Sequence, residues 1–187
     1  MRIFCLVTAC VLGFVHASWS AVVERLSVED LARGADAIVV ARVVATSAAW
    51  NEARTKIYTF TTLEVSDALK GDPARRVVVK ELGGALGDIA LEASGMPRFS
   101  VGEEVLVFLR RDSEGAYRTR GLAQGKMRLL REPDTGRTYA QADVSGLVWA
   151  ETAGGRELRP ANQPSPQTNA RRVYLDELKE RIRASAR

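Results

Sequence analysis

Histidine and cysteine are almost missing from this chain. The one histidine is His16 and the two cysteines are Cys5 and Cys10, all close to the N-terminus. That segment has the pattern of an export signal. Arg2 supplies a positive charge, Ile3 to Val15 is an apolar run too short to span a bilayer, and Val15-His16-Ala17 offers a small-residue cleavage site, with Ser18-Trp19-Ser20 as the next choice. Residues 1–20 are therefore expected to be a signal peptide, with Ser18 or Ala21 as the first residue of a periplasmic or secreted protein. Val7-Thr8-Ala9-Cys10 also has the shape of a lipoprotein box, although the apolar run continues past it.

A chain processed in this way keeps no imidazole and no thiol. Disulfides, thiolate nucleophiles, Cys/His zinc sites, His- or Cys-ligated haem and a Ser-His-Asp relay are then excluded together. Ser94, Ser100 and Ser145 have no histidine to activate them, and no S-x-x-K spacing occurs. The expectation is a protein that folds without cofactor, metal or disulfide.

Aromatic residues make up 6% of the chain, which leaves few stacking platforms for nucleic acid. Lysine occurs only at positions 56, 70, 80, 126 and 179, and the net charge of +4 is a mild excess. With 46% hydrophobic residues in a chain of 187, one domain can bury a sufficient core unaided.

Leu26-Ser27-Val28-Glu29-Asp30-Leu31 carries a capping box, with Ser27 as cap, Asp30 answering it and Leu26 stapling to Leu31. A short helix is expected from Val28 to about Arg33, stopped at Gly34 in the left-handed conformation that glycine adopts freely. Strands follow over Ala37 to Thr46, Thr55 to Leu69, Arg76 to Leu82, Glu103 to Arg111 and Ala116 to Arg120. They are read from β-branched runs, alternation and the turn signal Lys70-Gly71-Asp72-Pro73. In the second of these, Ile57, Thr59, Thr61, Leu63 and Val65 share one face. Lys126 to Arg131 and Arg137 to Gln141 flank a turn at Glu132-Pro133-Asp134-Thr135-Gly136, and a further short pair is expected around Gly154-Gly155. The domain is read as residues 21–159. Residues 160–167 read as a proline-rich linker and residues 168–187 as a C-terminal helix, with an apolar stripe at Tyr174, Leu175, Leu178 and Ile182. That stripe is expected to pack back on the domain, because a permanently exposed one would invite aggregation.

Short strands with glycine-rich turns and a helix at either end point to a mainly β protein, a small antiparallel barrel or sandwich. Ala35-Asp36-Ala37-Ile38-Val39-Val40-Ala41-Arg42-Val43, Tyr58-Thr59 leading to Leu69-Lys70-Gly71, and Val101-Gly102-Glu103-Glu104-Val105-Leu106-Val107-Phe108-Leu109 resemble the core of the netrin-like module of tissue inhibitors of metalloproteinases. They also resemble a group of uncharacterised exported bacterial proteins. The resemblance covers about residues 35 to 130 and rests on strand and turn residues. It implies an OB-like Greek-key barrel. It does not carry over the inhibitors' mechanism, which uses a disulfide-locked N-terminal cysteine.

Three constellations are candidate sites. Gly83, Gly84 and Gly87 form a glycine-rich loop after a strand, without the Lys-Ser/Thr of a P-loop; corner or bulge glycines are the plain alternative. Lys126 and Arg128, with Arg118 and Arg120 on the preceding strand, could form one basic face for phosphates or envelope polyanions, with Met127 and Leu129 turned to the core. Glu81, Asp88 and Glu92 could supply Ca²⁺ ligands or a carboxylate pair for glycoside hydrolysis. The leading expectation is a non-enzymatic exported module that binds a protein or an envelope polyanion through its loops. The alternative is a hydrolase of unfamiliar type that relies on Asp and Glu alone. Nucleic acid is not an expected partner, and no transmembrane segment is expected after signal cleavage.

Overall fold

The computed structural model describes residues 21–144, 147–150, 158–160 and 173–185. The expected signal segment, the Gly154-Gly155 turn and the expected linker from Ala161 onward lie outside the described residues. In chain order the elements are β1 (Ala21–Val23), α1 (Val28–Arg33), β2 (Ala37–Trp50), β3 (Ile57–Lys70), β4 (Arg76–Leu82), β5 (Gly84–Leu86), β6 (Ile89–Leu91), β7 (Glu104–Arg111) and β8 (Tyr117–Thr119). A turn of 3-10 helix (Leu122–Gly125) leads to β9 (Lys126–Arg131), β10 (Thr138–Ala142), β11 (Leu147–Ala150), β12 (Leu158–Pro160), β13 (Val173–Tyr174) and α2 (Leu175–Ser185).

The main sheet runs β13-β10-β9-β7-β2-β3-β4-β8, and β8 also pairs with β7. Strands β2, β3, β4, β8 and β7 therefore form a closed ring. Every junction in it is antiparallel except β4 with β8, which run parallel and meet at Val79↔Tyr117. This is the OB-like barrel that the sequence suggested. The β7 edge is shared, because β8 pairs with its C-terminal half (Leu109↔Thr119) and β9 with its N-terminal half (Val107↔Lys126). Between the two halves the 3-10 turn breaks the strand, which frees β8 to swing across to β4.

The continuous apolar runs of β2 and β7 follow from burial on both faces. Ala37, Val39, Ala41 and Val43 point into the ring with Leu63, Val77, Val79, Val105, Val107 and Leu109. Ile38, Val40, Leu106 and Phe108 point outward into a second cluster, under Leu31 and Ala32 of α1 and Leu178 and Ile182 of α2. On β3 the alternation is shifted by bulges, and Leu69 joins the outer cluster whereas Leu63 stays in the ring.

Helix α1 has the expected limits and capping box: Ser27 Oγ accepts from the Asp30 amide, and Asp30 accepts from the Ser27 amide. Gly34 differs from expectation. Its φ of −88° and ψ of 1° are not left-handed, and what favours glycine there is space, since a Cβ would sit 2.6 Å from Arg120 Nε. Helix α2 packs back as expected. Leu178 and Ile182 are buried, and Lys179 Nζ donates to Asp67 (2.7 Å) while Arg181 donates to Glu29 on α1 (2.9 Å). It begins later than the sequence suggested. Val173 and Tyr174 pair with Ala140 and Tyr139 as an edge strand, and Asp176 and Glu177 occupy the first turn, where the helix dipole favours acids. Pro160, expected as the first linker residue, belongs to β12, which pairs with β11 across the expected Gly154-Gly155 turn; β1 lies parallel to β11.

Candidate site at the barrel mouth

Along β3 and β4 the side chains that point into the ring change from apolar to polar. Leu63 and Val79 lie deep in the barrel core, and beyond them come Thr61, Glu81 and Thr59. The chain from Gly83 to Phe99, which includes the β5-β6 hairpin, passes over these three residues. Together they enclose a cavity of about 320 Å³, with Leu82, Leu91, Met96 and Phe99 among its apolar walls. Gly83 and Gly84 make the exit from the barrel. Their φ values are +105° and +139°, and a Cβ on Gly84 would lie 2.6 Å from Thr59 Oγ1. Gly87 sits at the hairpin tip with open space around it. The first two glycines thus line the cavity, and the third does not.

Glu81 is 5% exposed. Its Oε1 accepts a 2.6 Å hydrogen bond from the Thr119 amide. Burial raises its pKa above the ordinary glutamate value; the Thr119 amide and the charge of Arg118 pull the other way without cancelling the rise. Arg118 itself is held by Asp112, Nε to Oδ2 2.9 Å, and its guanidinium lies 5.1 Å from the Tyr58 ring centroid. Thr61 is fully buried, and its hydroxyl has no hydrogen-bond partner among the described residues. Thr59 donates its hydroxyl hydrogen to the Gly83 carbonyl at 2.7 Å, which leaves its lone pairs to the cavity.

The four cations expected on one basic face occupy separate places, because the 3-10 turn interrupts the two-residue alternation that would align them. Lys126 is 4% exposed; its Nζ donates to Arg98 O (2.7 Å) and lies 2.9 Å from Glu103. Arg128 reaches the same Glu103 from the solvent side, at 3.3 Å. Arg118 belongs to Asp112, and Arg120 lies against Gly34 with its Nε buried and unpartnered. Lys126 is also 5.3 Å from the Phe99 ring centroid, so this buried ion pair fixes the segment that walls the cavity.

Glu81, Asp88 and Glu92 are not brought together. Asp88 is exposed in the hairpin turn, and Glu92 lies at the cavity rim 3.6 Å from Arg98, both side chains being 85% exposed. Among the described residues no group of three His, Cys, Asp or Glu could hold a metal ion. Thr61, Met96 and Phe99 drew no attention as site residues in the sequence. Glu81 was named in the sequence with Asp88 and Glu92, and its phase sets it apart from them: Val77, Val79 and Glu81 alternate along β4, and a lone acid at the inward position of such a strand is costly unless used. No family model, curated protein or solved structure matches the chain.

Proposed function

We propose that this chain is an exported, non-enzymatic binding module that receives part of a protein or envelope partner at the mouth of its barrel. The observation that carries the reading is the cavity itself, a concave space with apolar walls and a few convergent polar groups, the usual form of a binding site. Three of the four cations favour this place over an anion-binding face, since Lys126, Arg128 and Arg118 are engaged by carboxylates, and the fourth, Arg120, is packed against Gly34. A two-carboxylate hydrolase would require a second acid facing Glu81, and the other acid of the cavity, Glu92, is turned to Arg98 at the rim. Kinship with netrin-like modules is part of the proposal and rests on the strand and turn residues quoted above and on the barrel architecture. Export rests on the pattern of residues 1–20, and N-terminal sequencing of the protein from the cell envelope should find Ser18 or Ala21; an acylated Cys10 would overturn it.

A photo-crosslinker placed in the envelope-exported protein tests the binding reading. Ile89 is exposed on β6, whose Ala90 and Leu91 line the cavity, whereas Val78 is exposed on the outer face of β4. A discrete adduct from position 89 and none from position 78 is the expected result. Adducts from position 78 alone, or from neither, contradict it.

A further inference from the structure

The polar groups of the mouth cavity offer more hydrogen-bond acceptors than the donors around them fill. Glu81 accepts from one residue, Thr119, whose amide donates to Oε1 and whose hydroxyl also acts on the carboxyl. The hydroxyl of Thr59 has spent its hydrogen on Gly83, and that of Thr61 has no partner. Nearby positive charges are occupied elsewhere. Arg118 on β8 is hydrogen-bonded to Asp112, Lys80 on β4 to Glu114, Lys126 on β9 to Glu103, and Arg98 at the rim pairs with Glu92. Among the described residues no lysine or arginine forms a direct ion pair with the Glu81 carboxyl; the charge of Arg118 acts on it from farther off, and a buried carboxylate is costly without a cation in contact.

We propose that the cavity takes a primary ammonium group on an aliphatic stem, with the ammonium at Glu81, Thr59 and Thr61 and the stem along Leu82, Leu91, Met96 and Phe99. An ammonium has three hydrogens to donate and accepts none, which matches three acceptors at the inner end of the cavity. A lysine side chain of a partner protein has this chemistry, as does a free alkylamine. An anionic ligand would meet the Glu81 carboxyl, and a purely apolar one would leave the buried Thr61 hydroxyl unpaired. This inference rests on the reading of the mouth as a binding site.

The probe is n-butylammonium, titrated into the full-length, isotope-labelled protein and followed by the amide resonances of residues 59–61, 81–85 and 90–99, with n-butanol as its neutral counterpart. The expected result is saturable movement of these resonances by the amine at neutral pH. n-Butanol should bind at least about fivefold more weakly, as loss of a charge-assisted contact implies. Glu81→Gln keeps an acceptor for Thr119 and removes the charge. It should weaken amine binding about tenfold or more and leave n-butanol unchanged. Thr61→Val, close in shape, should weaken the amine severalfold and serves if Glu81→Gln folds poorly. Acidification below the ordinary glutamate value should weaken the amine in the parent protein and not in Glu81→Gln. If n-butanol binds at the same resonances as well as the amine, or Glu81→Gln leaves amine binding intact, the ammonium inference falls while the binding reading stands. If neither probe moves these resonances, both fall. Source is decided by a lysine-containing peptide and its norleucine counterpart: binding of the first alone points to a protein lysine, and binding of n-butylammonium without the peptide to a free amine.

Discussion

The Thr119 amide donates to Glu81 Oε1 at 2.6 Å, two residues beyond the Val79↔Tyr117 pair that joins β4 to β8. In a parallel ladder that position would be served by a backbone carbonyl, and here a side chain takes its place. Glu81 therefore helps to close the ring as well as lining the cavity. Glu81→Leu should leave the Thr119 amide without an acceptor and cost about 1–3 kcal/mol. Glu81→Gln should cost far less at acid pH and gain on the parent as pH rises. With its folded pKa raised, Glu81 binds a proton in the folded state between the ordinary value of 4.5 and the raised one and has lost it in the unfolded state. The parent's stability thus falls as pH climbs through that window, and the fall should be absent in Glu81→Gln. Denaturant unfolding across this range measures both.

Thr61→Val should stabilise the protein by roughly 1 kcal/mol. The substitution replaces a fully buried hydroxyl that lacks a partner by a methyl group of similar size. Thermal unfolding that shows a loss instead would mean that the hydroxyl is satisfied in solution.

Lys126 and Glu103 have side chains 5% and 8% exposed. Removing one member of such a pair strands the other, so Lys126→Ala should cost about 3 kcal/mol or more. Arg128→Ala, whose side chain is half exposed, should cost no more than about 1 kcal/mol. Equal, small effects would mean that Lys126 is solvated and does not form a buried pair with Glu103.

Leu178 is 1% exposed between α1 and the outer face of β2 and β7. Leu178→Ala should cost about 2–5 kcal/mol in global unfolding, and Leu178→Asp should cost more, since it also buries a charge. A variant as stable as the parent would make α2 a detachable arm.

Much of this fold was legible. The capping box at Ser27, the alternation on β3 and the stripe of Leu178 and Ile182 are local patterns, and each forms the element it suggests. What was not legible depends on long-range geometry. Two-residue alternation could not reveal that a 3-10 turn separates Arg118 and Arg120 from Lys126 and Arg128. The role of Gly34 depends on Arg120, far along the chain. The cavity is assembled from β3, β4 and the Gly83 to Phe99 crossover, so Thr61 and Phe99 are neighbours only after the barrel has closed.

Glu81 is a buried carboxyl at the mouth of the barrel, and the chemistry of the cavity depends on it. The side-chain carboxyl carbon of Glu81, followed by NMR as a function of pH and assigned by its loss in Glu81→Gln, measures this directly. A titration midpoint above 4.5 is the result predicted. A midpoint at or below 4.5 would mean that water or a bound cation reaches the group freely, and would contradict the account.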